Sequence, residues 1–183
     1  MPSERRVCTV EEQKILIDWV TKNYKTFTLN HPAKSLTNTK YDGYYTNLKN
    51  IKNDTISTIL DNIKKRIEEK EQLYLYDECL VKEDVPHFIY FMEPGTKLHK
   101  HNDRTSSKKG TQIRFNVCIQ KPEDGGRPIY ANKVYDLFEC EYIICRSGID
   151  YHTSEIINGN IGKINISYGY FVNNEDVHKY NSP

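Results

Sequence analysis

From residue 74 onward the chain is a succession of short runs rich in Tyr, Ile, Val and Phe, broken by turn-forming clusters such as Asp124-Gly125-Gly126 and Asn158-Gly159. Such texture predicts strands rather than helices. The expected strands span 74–76, 86–93, 97–103, 111–120, 127–131, 133–138, 141–146, 150–157 and 161–172. That many short strands in one continuous stretch point to a double-sheet jelly roll.

The first part of the chain reads differently. Across 10–25, Ile15, Leu16, Trp19 and Val20 recur at helical spacing, and Thr9 followed by Glu12 suits a capping box. A second helix is expected from Thr55 to about Leu73, with Ile56, Ile59, Leu60, Ile63 and Ile67 as its apolar stripe. The charges Lys64–Arg66, Glu68, Glu69 and Glu71 are assigned to its solvated side. Between the helices, 28–52 reads as loop with one short strand near Tyr44–Leu48. The expected fold class is mainly β with N-terminal helices packed on the major sheet. The 183 residues are read as a single domain: a helical support region, 1–80, and a jelly-roll core, 81–175.

Composition narrows the function classes. The 26 basic and 25 acidic residues leave a net charge of +1, and the basic residues are scattered rather than gathered into a stripe. This counts against nucleic acid as a partner, because phosphate neutralisation dominates such binding. Mean hydropathy is −0.73. No apolar run reaches the length of a membrane span, and the first residues lack the apolar stretch of a signal peptide. The five cysteines show no CxxC pairing and are expected to be reduced, mostly buried residues of a cytoplasmic protein.

The chemistry gathers in Phe88–Asp103, FIYFMEPGTKLHKHND. A strand, a Pro94-Gly95 turn and a second strand would place His99, His101 and Asp103 on one face, since side chains alternate along a strand. His101 and Asp103 then offer an imidazole and a carboxylate side by side. A His99/His101 pair is the rival ligand set. The third ligand is sought among the remaining histidines. His31 and His178 lie in polar surroundings and His87 starts a strand, leaving His152. A two-residue hairpin at Asn158-Gly159 would set His152 opposite Asn165 and Ser154 opposite Lys163. One face would then carry His152, Ser154, Lys163, Asn165 and Ser167, with Ile164, Ile166 and Tyr168 on the other. His, Asp and His with open positions form the facial triad of non-haem Fe(II) chemistry.

EPGTKLHKHND, RFNVCIQKPEDGGRPIY and DYHTSEIINGNIGKINISYGYFV together resemble the Fe(II)/2-oxoglutarate-dependent dioxygenases, closest in plan to the prolyl 4-hydroxylase-like group. The resemblance covers roughly 86–172 and implies a double-stranded β-helix core. It also implies Fe(II) on His101, Asp103 and His152, with 2-oxoglutarate and dioxygen as cosubstrates. Lys163 would anchor the far carboxylate of 2-oxoglutarate. Tyr90 and Met92 occupy strand positions from which such enzymes reach the cosubstrate, Ser167 would hydrogen-bond the anchored carboxylate, and Arg114 or Asn116 is expected to touch cosubstrate or substrate. The implied reaction is hydroxylation of an unactivated C–H bond on a protein or peptide side chain, proline first. An AlkB-like demethylase of nucleic acid, a hydroxylase of a free amino acid or small metabolite, and a non-catalytic metal-binding jelly roll are the alternatives. The AlkB-type basic-x-Asn-x-Thr-x-Arg strand is only partly echoed by Lys163–Gly169, where Gly169 stands at the final Arg. The segment 104–110 is read as a lip over the site or an ordinary exposed loop.

Overall fold

The computed structural model describes residues 4–30, 43–73, 85–103 and 110–180. Helix α1 spans Val10–Asn23. The Thr9 hydroxyl accepts from Glu12 N at 3.1 Å and the Glu12 carboxylate accepts from Thr9 N at 2.8 Å, so two donors at the helix start are satisfied reciprocally. Two strands follow, β1 (Thr28–Asn30) and β2 (Gly43–Asn47), paired with each other; only the second was expected. Helix α2 spans Asp54–Glu71, capped by Asn53, whose side chain accepts from Ile56 N. Its five expected stripe residues are all buried.

The remaining strands are β3 (Phe88–Met92), β4 (Gly110–Gln120), β5 (Asp124–Gly125), β6 (Pro128–Tyr130), β7 (Lys133–Val134), β8 (Tyr142–Cys145), β9 (His152–Ser154), β10 (Ile157–Asn158) and β11 (Lys163–Asn173). Six of them form the major sheet in the order β1-β2-β3-β11-β4-β8, and every pairing in it is antiparallel. Opposite it lie two small sheets, β7-β6-β9 and β10-β5. This is a jelly roll with helices on the major sheet, as its sequence texture implies.

Alternation along the strands divides the major sheet into two faces. Ile89, Phe91, Ile113, Phe115, Val117, Ile164, Ile166 and Tyr168 pack with Leu16, Val20, Ile59, Ile63 and Ile67 of the helices in one buried cluster. The other face carries Phe88, Tyr90 and Met92 in register with Ser167, Asn165 and Lys163. It is this polar and aromatic face that meets the small sheets.

Several expectations are corrected. Residues 97–103 form no strand; their pairing is one isolated bridge, His101 to His152. The Asn158-Gly159 turn makes no hairpin. Strand β9 pairs with β6, β10 with β5, and β11 with β3 and β4. His152 therefore does not face Asn165, and Ser154 faces Pro128 rather than Lys163. The Asn-Gly dipeptide specifies a positive φ, which Gly159 has at +84°, but it does not choose the partners of the flanking strands. Glu123 captures the loop instead, its carboxylate accepting from Asn160 N at 2.8 Å. The segment 150–157 consequently breaks into two short strands on different sheets. Part of the α2 charge run is also not a solvated face. Arg66 grips Glu12 through two nitrogens at 2.7 and 2.8 Å, and Tyr170 and Tyr142 donate to Glu68 and Glu71. Lys65 and Glu69 do project into solvent.

Cys8, Cys118, Cys140 and Cys145 are buried and unpaired as disulfides. Cys79, His31, the expected strand 74–76 and residues 104–109 lie outside the described residues. Among the described residues no helix is long and apolar enough to cross a membrane.

His87 seals the seam between α2 and the sheet. Its Nδ1 accepts from Gly169 N at 3.1 Å, and its ring lies against Tyr168 and Tyr170. Burial, aided by nearby Lys64 and Arg114, pushes its pKa down to about 4. The folded value lies below the unfolded one, so this contribution is complete above about pH 6.5 and is lost as pH falls towards 4. We expect His87→Gln, which keeps an acceptor but cannot titrate, to flatten the decline of unfolding free energy between pH 6.5 and 4 by about 2 kcal/mol. Urea melts at stepped pH measure it.

Candidate metal centre

Three backbone bonds assemble the site. His101 N donates to His152 O at 3.0 Å, His152 N to His101 O at 2.8 Å, and Asp103 N to Ser147 O at 2.8 Å. This stitches an otherwise irregular segment to β9 and to the loop after β8, so the three candidate ligands meet without a shared strand. One ligand atom from each of His101, Asp103 and His152 lies within 4.8 Å of the others. Asp103 Oδ1 is 3.5 Å from His101 Nε2 and 3.8 Å from His152 Nε2.

The far side of each group is also held. His101 Nδ1 lies 2.6 Å from His99 O and His152 Nδ1 lies 3.3 Å from Asp150 O. A carbonyl can only accept, so each Nδ1 carries a proton and each Nε2 is the nitrogen left facing Asp103, free to give its lone pair to an ion. This second set of contacts is what fixes histidine tautomers at metal centres. His99 supplies its backbone to this arrangement, while its side chain lies on the cavity wall outside the cluster. Asp103 Oδ2 accepts from Gln112 Nε2 at 2.6 Å and Arg114 Nε at 2.8 Å.

Electrostatics agree with this geometry. Burial works to raise the Asp103 carboxyl, but His101 and Arg114 hold it well below the usual carboxylate range. Asp103 in turn raises His101, and burial lowers His152 to about 4. One fixed carboxylate and two imidazole nitrogens form a mixed N/O donor set with no thiolate. Such a set suits a divalent ion of the iron type.

The cluster opens into a cavity of about 730 Å³. Phe88, Tyr90, Arg114, Asn116, Tyr130 and Ser167 are among its lining residues, so three of the expected cosubstrate contacts, Tyr90, Arg114 and Ser167, face it. Asn165 donates to the Tyr90 hydroxyl at 3.1 Å, and Asn116 to that of Tyr130 at 2.9 Å. With its oxygen already accepting, each phenol keeps its own proton to donate. Lys163 lies further along the same sheet face, opposite Met92, which does line the cavity. It is 5% exposed, forms no ion pair among the described residues, and donates to Gly126 O at 2.6 Å. Burial lowers its pKa. Lys163 itself is not among the residues lining the cavity.

Sequence reasoning missed Tyr130 and Tyr45 on the cavity wall and Gln112 behind Asp103. Gln112 could have been found, since it shares a strand face with Arg114 and Asn116.

No protein-family model and no curated protein sequence matches the chain. Solved structures do. A Pseudomonas putida prolyl-4-hydroxylase superposes with a TM-score of 0.63 at 14% identity, over 92% of this chain and 90% of that one. A 2OG-Fe(II) oxygenase family oxidoreductase from Burkholderia pseudomallei gives 0.55 at 10% identity, over 91% and 80% of the two chains. The chain has the fold of the 2OG-Fe(II) oxygenases. Within that fold, the non-haem alpha-ketoglutarate-dependent epimerase SnoN from nogalamycin biosynthesis gives 0.60 at 9% identity, over 91% of this chain and 75% of its own. The oxygenase fold thus carries more than one reaction type among the chain's structural neighbours.

Proposed function

We propose that the chain is an Fe(II)- and 2-oxoglutarate-dependent dioxygenase that hydroxylates an unactivated C–H bond, acting on a polypeptide side chain. The observation that carries this reading is the convergence of His101 Nε2, His152 Nε2 and Asp103 Oδ1 at the wall of the large cavity. Fe(II) held by these three side chains, together with 2-oxoglutarate and dioxygen, supplies oxidative decarboxylation to succinate coupled to hydroxylation. His101 and His152 present their Nε2 lone pairs because their Nδ1 protons are committed to carbonyls. Lys163 neutralises the far carboxylate of 2-oxoglutarate, and Tyr90 and Ser167 offer it hydroxyl donors. The aromatic walls Phe88, Tyr90 and Tyr130 exclude water and hold the substrate's apolar part. The helices of 1–80 buttress the catalytic core, 81–175, within one domain.

A peptide substrate with proline at the reacting position is the first choice, supported by the prolyl-4-hydroxylase neighbour and by the aromatic wall. Succinate release from 2-oxoglutarate with Fe(II) tests it against proline-rich peptides, free amino acids and methylated oligonucleotides. We expect the proline-rich peptides to stimulate turnover and to gain one oxygen by mass. Stimulation confined to amino acids or oligonucleotides would overturn the peptide assignment.

A further inference from the structure

The fold puts an unusual amount of polar structure behind one oxygen of Asp103. Gln112 and Arg114, next-but-one neighbours on β4, both donate to Oδ2, leaving Oδ1 alone towards the two imidazoles. Gln112 is 2% exposed. The guanidinium is fixed in turn: its Nη1 donates to Pro86 O at 3.1 Å and to Ser167 Oγ at 3.4 Å, and it lies over the Phe88 ring. Across the strand pair, Arg114 faces Gly169. A Cβ at 169 would fall 2.2 Å from Val85 Cγ1 and 3.0 Å from Arg114 Nη1. A side chain at 169 would therefore have to displace Val85 and would press on the guanidinium as well.

We propose that Gln112 and Arg114 are positioning residues that restrict Asp103 to one metal-facing oxygen, and that Gly169 keeps the arginine's path open. The inference rests on the metal-centre reading above. A free carboxylate can chelate through both oxygens, which would fill four of six positions around an octahedral ion once both histidines are bound. With Oδ2 already accepting two hydrogen bonds, one of them charge-assisted, chelation would have to break at least one of them. A single Asp103 oxygen leaves three positions, enough for a bidentate 2-oxoacid and dioxygen. The clamp would thus set how many positions Asp103 takes as well as the orientation of its carboxylate.

Titration of the metal-free protein with Co(II), read by visible absorption, tests this without turnover. Gln112→Leu is expected to weaken Co(II) binding about 10- to 100-fold and to alter the absorption spectrum of the bound ion. Arg114→Met and Gly169→Val are expected to act in the same direction, and Arg114→Lys to recover only part of the loss because it lacks the planar fork. Thermal melts of the metal-free proteins separate these effects from unfolding, and should an Arg114 or Gly169 variant fail to fold, Gln112→Leu decides. Native protein that takes up no Co(II) would overturn both the metal reading and the clamp. Native protein that binds, Asp103→Ala that does not, and Gln112→Leu that matches native affinity and spectrum would overturn the clamp alone.

Discussion

Asp103→Ala is expected to abolish both tight divalent-metal binding and 2-oxoglutarate turnover while leaving the chain folded. Asp103 Oδ1 is the only carboxylate oxygen in the three-ligand cluster, and without it two imidazoles remain. Loss of a direct ligand is expected to exceed the 10- to 100-fold effect typical of removing a group that merely orients one. The stability consequence is smaller and has two parts. The substitution leaves the Arg114 guanidinium and the Gln112 amide without their shared acceptor, a cost of about 1–3 kcal/mol. It also removes the acid-sensitive element of the site. The folded Asp103 pKa is depressed, so its stabilisation is present above the ordinary carboxylate range and is lost as pH falls below it. Metal titration followed by succinate assay checks the first claim, and urea melts at pH 7 and pH 3 check the second. Unchanged turnover in Asp103→Ala would remove the site from consideration.

Lys163→Met is expected to move stability and function in opposite directions. The ammonium is buried against Gly126 O with no ion pair among the described residues. Its charged form is therefore disfavoured in the fold, which is why burial lowers its pKa. A methionine of similar length fills the space without that penalty, so the ligand-free variant should be more stable by about 1–3 kcal/mol. The sign is checked by pH: stability of the native protein should rise as pH climbs from the lowered value towards the ordinary lysine range, and that rise should vanish in the variant. Function should go the other way. A charge-assisted hydrogen bond to a carboxylate contributes about 1.5–3 kcal/mol, so 2-oxoglutarate should bind about 10- to 100-fold more weakly. Thermal melts with and without 2-oxoglutarate read both effects in one experiment. A variant less stable than the native protein, yet still shifted fully by 2-oxoglutarate, would make Lys163 a structural residue.

How the sequence encodes this site is uneven, for physical reasons. The helix stripes and the Thr9–Glu12 capping box are local signals; the structure keeps the cap and buries the whole α2 stripe, while in α1 Leu16 and Val20 are buried and Ile15 and Trp19 half-buried against the core. His101 and Asp103 were legible because a two-residue spacing keeps side chains together where the backbone is extended, and here a single bridge to His152 serves in place of a regular strand. His152 was legible as a candidate but not for the right neighbours. The Asn158-Gly159 signal sets a backbone angle, whereas the choice of strand partner is made by burial far along the chain. Strand β11 is needed between β3 and β4, where its Ile164, Ile166 and Tyr168 reach the helices. That demand takes it away from β9. The charges of α2 misled for a related reason: Arg66, Glu68 and Glu71 find partners on other elements that a helical wheel does not display. Gln112 gave no signal by residue type; its one signal was its place on the strand face of Arg114 and Asn116, and its role became readable once Asp103 was known to lie against it.

Calorimetric titration of 2-oxoglutarate into the anaerobic protein, with and without Mn(II) as a redox-inert stand-in for Fe(II), tests the central claim most directly. One equivalent should bind when Mn(II) is present, and binding should disappear when Mn(II) is withheld or when His101, Asp103 or His152 is replaced by Ala. Equal affinity with and without the metal, or undiminished binding to the Asp103→Ala protein, would contradict a cosubstrate site built on these three ligands.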